Sequence, residues 1–196
     1  MRRIILIAGL LVALSPQAFA QEAPPVEVFA GYSYFRPDGG GGLHGWNASV
    51  AVSLSRNLAV VGDFSGHYGS QSLRADIFDD DDFPGTVSIR ADSDSNMHML
   101  LSGLRYSHRG HEKLTPFAHA LIGASRFAAD ATISTGPLSV NSSFADIGFA
   151  FAVGGGLDVK LSESVGLRLI QADYLVTNIG GRSQGNVRLS VGFTLH

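Results

Sequence analysis

No cysteine occurs in the chain, so no disulfide can staple the fold and some other device must close it. Nor is there a run of the roughly 20 apolar residues that a helix needs to cross a bilayer. The longest apolar stretch beyond the N-terminus, Ile147 to Leu157, is interrupted by Gly148, Gly154, Gly155 and Gly156. Basic residues are in deficit, 14 Lys and Arg against 17 Asp and Glu, which makes nucleic acid a poor partner because phosphate binding is driven by Lys and Arg. No Pro/Ser-rich linker or shift of composition divides the chain, so it reads as one domain.

What is present begins with a leader. Arg2 and Arg3 give a positive start, Ile4 to Leu14 an apolar core, and Ala18-Phe19-Ala20 a small-x-small cleavage signal. Residues 1–20 therefore read as a secretory signal peptide, with the mature domain spanning 21–196. Losing Arg2 and Arg3 leaves 12 basic residues against 17 acidic ones, a formal charge of −5.

The mature chain is written in period two. At its end Val187, Leu189, Val191, Phe193 and Leu195 alternate with Arg188, Ser190, Gly192 and Thr194, one greasy face and one wet. Trp46, Ala48, Val50, Val52 and Leu54 alternate with Asn47, Ser49, Ala51 and Ser53 in the same way, and Ile147, Phe149, Phe151 and Val153 with Gly148, Ala150 and Ala152. Eight strands are predicted: 26–35, 44–54, 58–69, 96–107, 115–127, 144–160, 165–175 and 186–195. In the fifth, His119 and Arg126 fall on opposite parities, as do Arg168 and Asp173 in the seventh, which predicts a bulge or a mixed face.

The connections alternate in length. Residues 55–57, 108–114 and 162–164 are short, whereas 36–43, 70–95, 128–143 and 176–185 are long. Tight turns on one side and long loops on the other are the pattern of an outer-membrane barrel. The expected fold is all-β, an eight-stranded antiparallel up-and-down transmembrane β-barrel in the bacterial outer membrane, with outer-membrane lipid as its surroundings. Val50, Val52, Phe149, Phe151, Val191 and Phe193 are expected to face that lipid. Tyr34, Trp46, Tyr68 and Tyr174 are expected in an aromatic girdle at the external side, and Tyr106, Phe117 and Phe193 at the other.

An eight-stranded barrel is only wide enough for its own side chains. Glu27, Asp63, Arg105, Asp146, Asp158, Arg168 and Arg188 are expected to form an interior charge network that plugs it. An Arg facing lipid at the midplane would cost about 2–4 kcal/mol.

The chain resembles the small bacterial outer-membrane barrels, the porin-like domain typified by the OmpA membrane domain. The resemblance is carried by Val26-Glu27-Val28-Phe29-Ala30-Gly31-Tyr32-Ser33-Tyr34, by Gly154-Gly155-Gly156-Leu157-Asp158-Val159, by Val165-Gly166-Leu167-Arg168-Leu169 with Ala172-Asp173-Tyr174, and by Val187 to Leu195. It implies a structural protein, adhesin, receptor or, rarely, an enzyme, inserted by the barrel-insertion machinery. That machinery reads a final aromatic residue in the family, whereas here the last residues are Phe193-Thr194-Leu195-His196.

Two alternatives are weighed against a structural or surface-interaction role without an open pore. A lipid A-modifying enzyme of the deacylase type would carry His-x-Ser on one strand face, and the residues two after the internal histidines are Trp46, Gly69, Leu100, Gly110, Lys113 and Leu121. A triad assembled from separate strands, around His67 for instance, stays open. The second alternative is a soluble periplasmic ligand-binding barrel of the lipocalin type, which hides its apolar face inside. Asp79 to Asp82 could attract a divalent cation, but an acidic loop is usually solvated, and Asp92-Ser93-Asp94 lacks the Gly and Glu of an EF-hand, with Met97 and Gly103 in their places. His108, His111 and Glu112 read as a solvated turn. No catalytic residue, metal or cofactor is expected. An extracellular ligand, if there is one, is expected on loops 70–95 and 128–143.

Overall fold

The protein's structure is a computed structural model in which residues 24–77, 87–135 and 138–196 are described. Residues 1–20, read above as a leader, and the acidic run Asp79 to Asp82 lie outside the described residues. Eight strands follow in order: β1 (Val26–Pro37), β2 (Leu43–Ser53), β3 (Leu58–Ile77), β4 (Val87–Ser107), β5 (Leu114–Thr135), β6 (Leu138–Lys160), β7 (Val165–Ile179) and β8 (Arg182–Leu195). Each pairs antiparallel with the next, and β8 returns to pair with β1 from Val28↔Leu195 to Pro37↔Asn186. A closed ladder leaves no free edge, and this is the device that stands in for disulfides. The closing seam needs glycine. Gly31 lies opposite Gly192, and a Cβ on Gly31 would fall 2.0 Å from the Val191 carbonyl oxygen.

Alternation sends one set of side chains out and the other in. Val50, Val52, Phe149, Phe151, Val191 and Phe193 are exposed on the outer surface, while Ser33, Asn47, Asp63 and Arg188 are buried in the lumen. Greasy outside and polar inside is the reverse of a lipocalin-like barrel, so the soluble alternative fails on the face it predicts. The parity conflict of β7 is resolved by a bulge. Pairing shifts register between Leu157 and Asp158 on β6 and between Arg168 and Gln171 on β7 to β8. Leu169 and Ile170 consequently both face outward, and Arg168 and Asp173 both face in. In β5 the ladder is regular, so His119 points inward and Arg126 outward.

The long connections depart from expectation. Most of residues 70–95 and 128–143 is strand, not loop: β3 and β4 stay paired to Ile77↔Val87, and β5 and β6 to Thr135↔Leu138. Residues 176–185 are likewise strand apart from a turn at Gly180 and Gly181, whose φ values of 60° and 73° are left-handed. The segment after β1 is a five-residue turn, 38–42. The asymmetry between the two ends therefore lies in strands that overshoot. β2 makes its last pair with β3 at His44↔Tyr68, and β3 runs nine residues further, to Ile77. At about 3.3 Å per residue that is roughly 30 Å of strand.

The overshooting strands β3 to β6 form one four-stranded sheet, because β4 also pairs with β5 up to Ile89↔Thr135. No register shift interrupts these pairings, so the inward parity of the barrel continues up the sheet. Leu73, Ala91, Ala131, Ile133, Val140 and Phe144 lie on the axial side, and Ser72, Arg74, Asp92, Asp94, Asp130 and Thr132 on the outer side.

Candidate functional site

The lumen holds one connected polar network. Arg105 donates to Glu27 Oε1 at 2.7 Å, and Arg168 reaches the same oxygen at 3.2 Å. Arg168 also forms a two-pronged pair with Asp158, at 2.7 and 2.9 Å, and donates to Gln171 Oε1 at 2.8 Å. Gln171 in turn donates to Asp173, whose carboxylate accepts from His119 at 2.7 Å and from Arg188 at 2.9 Å. Arg188 crosses the lumen to Asp63 at 2.7 Å and Ser65 at 3.1 Å, and Asn47 donates to the other oxygen of Asp63 at 2.8 Å. Followed from Arg105 to Asn47, this chain of hydrogen bonds takes in a side chain from every one of the eight strands. Four carboxylates meet three guanidiniums, each hydrogen-bonded, which is the condition under which buried charge is tolerated.

Of the residues expected in this network, Glu27, Asp63, Arg105, Asp158, Arg168 and Arg188 are brought together. Asp146 is not. It keeps the inward parity but sits at the rim, where its carboxylate accepts the Gly180 backbone N–H at 2.5 Å and ties down the β7–β8 turn. Gln171, Asp173 and His119 are members the sequence reading missed. The bulge hides the first two, and a lone inward histidine carries no signal of its partner.

Of the residues expected in the girdles, Tyr34, Trp46, Tyr68, Tyr106, Tyr174 and Phe193 are on the outward parity, with Tyr32 beside them. Phe117 corrects the expected girdle: it is buried in the lumen, with the Arg168 guanidinium 4.4 Å from its ring centre and that of Arg105 at 5.4 Å. The ring centre of Phe29 also lies against the Arg168 guanidinium, at 4.3 Å. A planar cation against two aromatic rings is held by its charge as well as by packing, which is why an aromatic belongs at position 117 on the inward parity. On the outside, Tyr32 hydrogen-bonds His44 at 2.5 Å and Tyr68 hydrogen-bonds His98 at 3.1 Å.

A serine and a histidine do meet. His67 Nε2 lies 2.9 Å from Ser33 Oγ, which lies 2.9 Å from Ser190 Oγ. Among the described residues no acid completes a triad, since His67 Nδ1 has no partner there, and both Ser33 and His67 are fully buried, with the Phe35 ring against His67. Among the described residues no cluster of three or more His, Asp or Glu is placed to hold a metal ion. Asp92 is engaged by Arg90 at 2.7 Å. At the short-turn end His196 stands 3.8 Å from Glu27, and burial holds the pKa of its imidazole below the ordinary value, against a smaller opposing pull from the carboxylate.

Toward the overshooting end the lumen opens into a cavity of about 630 Å³. Its wall sets the apolar side chains of Phe35, Leu43, Met97, Phe127, Phe144 and Ile179 among glycines of the turns and uncharged polar side chains such as Gln71, Ser93 and Asn186.

No protein-family description matches the chain, and no curated protein matches it by sequence. Solved structures do. Ail, the attachment invasion locus protein of Yersinia pestis, determined with the heparin analogue sucrose octasulfate, is 16% identical, with a TM-score of 0.51 over 86% of this chain and 96% of that one. The outer membrane protein OprG of Pseudomonas aeruginosa is 12% identical, with a TM-score of 0.49 over 87% and 94%. Neisserial surface protein A is 14% identical, with a TM-score of 0.45 over 89% and 99%. At such identities the likeness to Ail is one of fold, and the chain is an eight-stranded antiparallel β-barrel of the outer-membrane type.

Proposed function

We propose that the protein is exported through its leader, resides in the bacterial outer membrane as a plugged barrel without catalysis or an open pore, and serves a structural or surface-interaction role. The observation that carries this reading is the polar network joining all eight strands, wrapped in an apolar outer surface. An apolar exterior suits hydrocarbon, and a lumen filled with paired side chains leaves no continuous water path. Contact with outside partners falls to the overshooting sheet. Residues 70–95 carry seven aspartates against two arginines, and residues 128–143 carry Asp130 and no base. Unlike the Ail bound to a heparin analogue, this chain offers a sulfated polyanion mostly repulsion. A basic protein surface, or anionic glycolipid bridged by divalent cations, fits the charge.

Membrane fractionation with a heat-modifiability gel tests barrel and location together: the protein should sediment with outer membranes and migrate faster unheated than boiled. External protease on intact cells should cut within residues 70–95 and spare 55–57 and 162–164. Cutting at the short turns would invert the topology and remove the surface role.

A further inference from the structure

The overshooting sheet keeps an apolar face where water would otherwise be its neighbour. Leu73 is 73% exposed, Leu138 73%, Val140 70%, Ile133 51% and Phe144 50%, and all five lie on the axial side. The outer side of the same strands is polar and acidic. Were the sheet a solvated spacer, its greasy side would face neither inward nor outward by preference. Contiguous exposed apolar surface of this kind marks a binding surface. At its foot this face runs into the mouth cavity, since Phe127, Ala129 and Phe144 belong to both. The cavity's volume of about 630 Å³ falls in the range of ~300–1,000 Å³ that holds small-molecule ligands.

Charge selects among occupants. The ionisable lining is Asp38 and Arg182, one of each sign, so the cavity offers no net field, and the acidic flank repels anionic amphiphiles. Gln71, Ser93, Ser95, Gln184 and Asn186 supply hydrogen-bonding groups between the apolar side chains, so an occupant with an apolar body and a few uncharged polar groups fits the lining. Below the cavity, Met99, Leu101 and Leu121 together with the ion-pair network, whose Asp63 is paired in register with Leu101, fill the lumen, so a molecule entering from the mouth stops there.

We propose that the mouth cavity, together with the apolar axial face rising from it, is a binding site for an uncharged, largely apolar small molecule. This goes beyond the surface-contact role and stands without it.

The chain's three methionines are Met1, in the leader, and Met97 and Met99, so the mature protein carries two methionine methyl reporters. Met97 is in the cavity wall and Met99 one inward step deeper. The barrel, labelled with ¹³C-methyl methionine and placed in phospholipid nanodiscs rather than in detergent, which would compete, is titrated with naphthalene. The Met97 methyl should shift saturably by ring current, more than Met99. Ala129→Trp, which fills the cavity, should weaken the response roughly tenfold or more. Ala128→Trp, on the opposite face of the same strand, should leave it unchanged. A linear, non-saturating shift, or equal effects of the two tryptophans in variants that remain heat-modifiable, would overturn the proposal. So would two chains per disc reduced to one by Leu138→Asp, which would assign the face to a second copy. A heat-modifiable barrel that fails to bind naphthalene leaves the surface-contact reading standing, so the two fail separately.

Discussion

Arg188→Met is the most revealing single change in the lumen. Arg188 is fully buried, donates to Asp63 at 2.7 Å and Ser65 at 3.1 Å on β3, and lies 2.8 Å from Asp173 on β7. It is the one link between the half of the network ending at Asn47 and the half ending at Arg105. Methionine preserves the unbranched stem and removes the charge, stranding two carboxylates. Breaking a buried ion pair on one side costs about 3–5 kcal/mol, mostly because the abandoned partner keeps its charge in a poor solvent. Asp63 retains Asn47, and Asp173 retains His119 and Gln171, which places the expected loss toward the lower end, about 3 kcal/mol. The assay is reversible urea unfolding of the barrel in phospholipid vesicles, followed by the fluorescence of Trp46, the only tryptophan, on the outer face of β2. Adding Asp63→Asn to Arg188→Met should recover part of the loss, because it removes one of the two stranded charges. A loss under about 1 kcal/mol, within the range of an exposed pair, or strict additivity of the two changes, would refute the reasoning.

Other changes probe the outer face, the aromatic clamp and the seam. Phe151→Arg, on the outward parity of β6, should cost about 2–4 kcal/mol in the same vesicles if placed near the midplane, and a neutral result would contradict the face assignment. Arg168→Lys keeps the charge but loses the two-pronged bond to Asp158 and the planar contact with the Phe29 and Phe117 rings, so urea titration should show a loss of about 2 kcal/mol, that of one charged hydrogen bond. Ala30→Cys with Phe193→Cys, opposed across β1 and β8, should cross-link within one chain on mild oxidation of membranes, whereas Ala30→Cys with Val187→Cys should not.

Much of the fold was legible because a strand with one buried face must alternate, and the wet parity then names the lumen. Glu27, Asp63, Arg105, Asp158, Arg168 and Arg188 all follow from that rule. It fails where the backbone departs from period two. The β7 bulge turns Leu169 and Ile170 outward together, so Gln171 and Asp173 looked displaced from the face they share with Arg168. Phe117 was misplaced for a different reason: an aromatic near a strand end reads as a girdle residue, and only its parity with His119 and Leu121 gives it away. The overshooting strands escaped because their alternation is of small amplitude. Alanine, serine and aspartate on alternate positions look like loop composition until the pairing partner across the ladder is known. The mouth cavity had no sequence signature at all, since its lining comes from short stretches of β1 to β8 that only closure brings together.

The account stands most directly on the blocked lumen, and single-channel recording of the purified barrel in planar phospholipid bilayers addresses it without any substitution. With the eight-strand network intact, the membrane should stay electrically silent or show only small, rare openings. A stable, reproducible conductance from the unaltered protein would contradict the central claim, because it would require a continuous water path through side chains that the network holds in place.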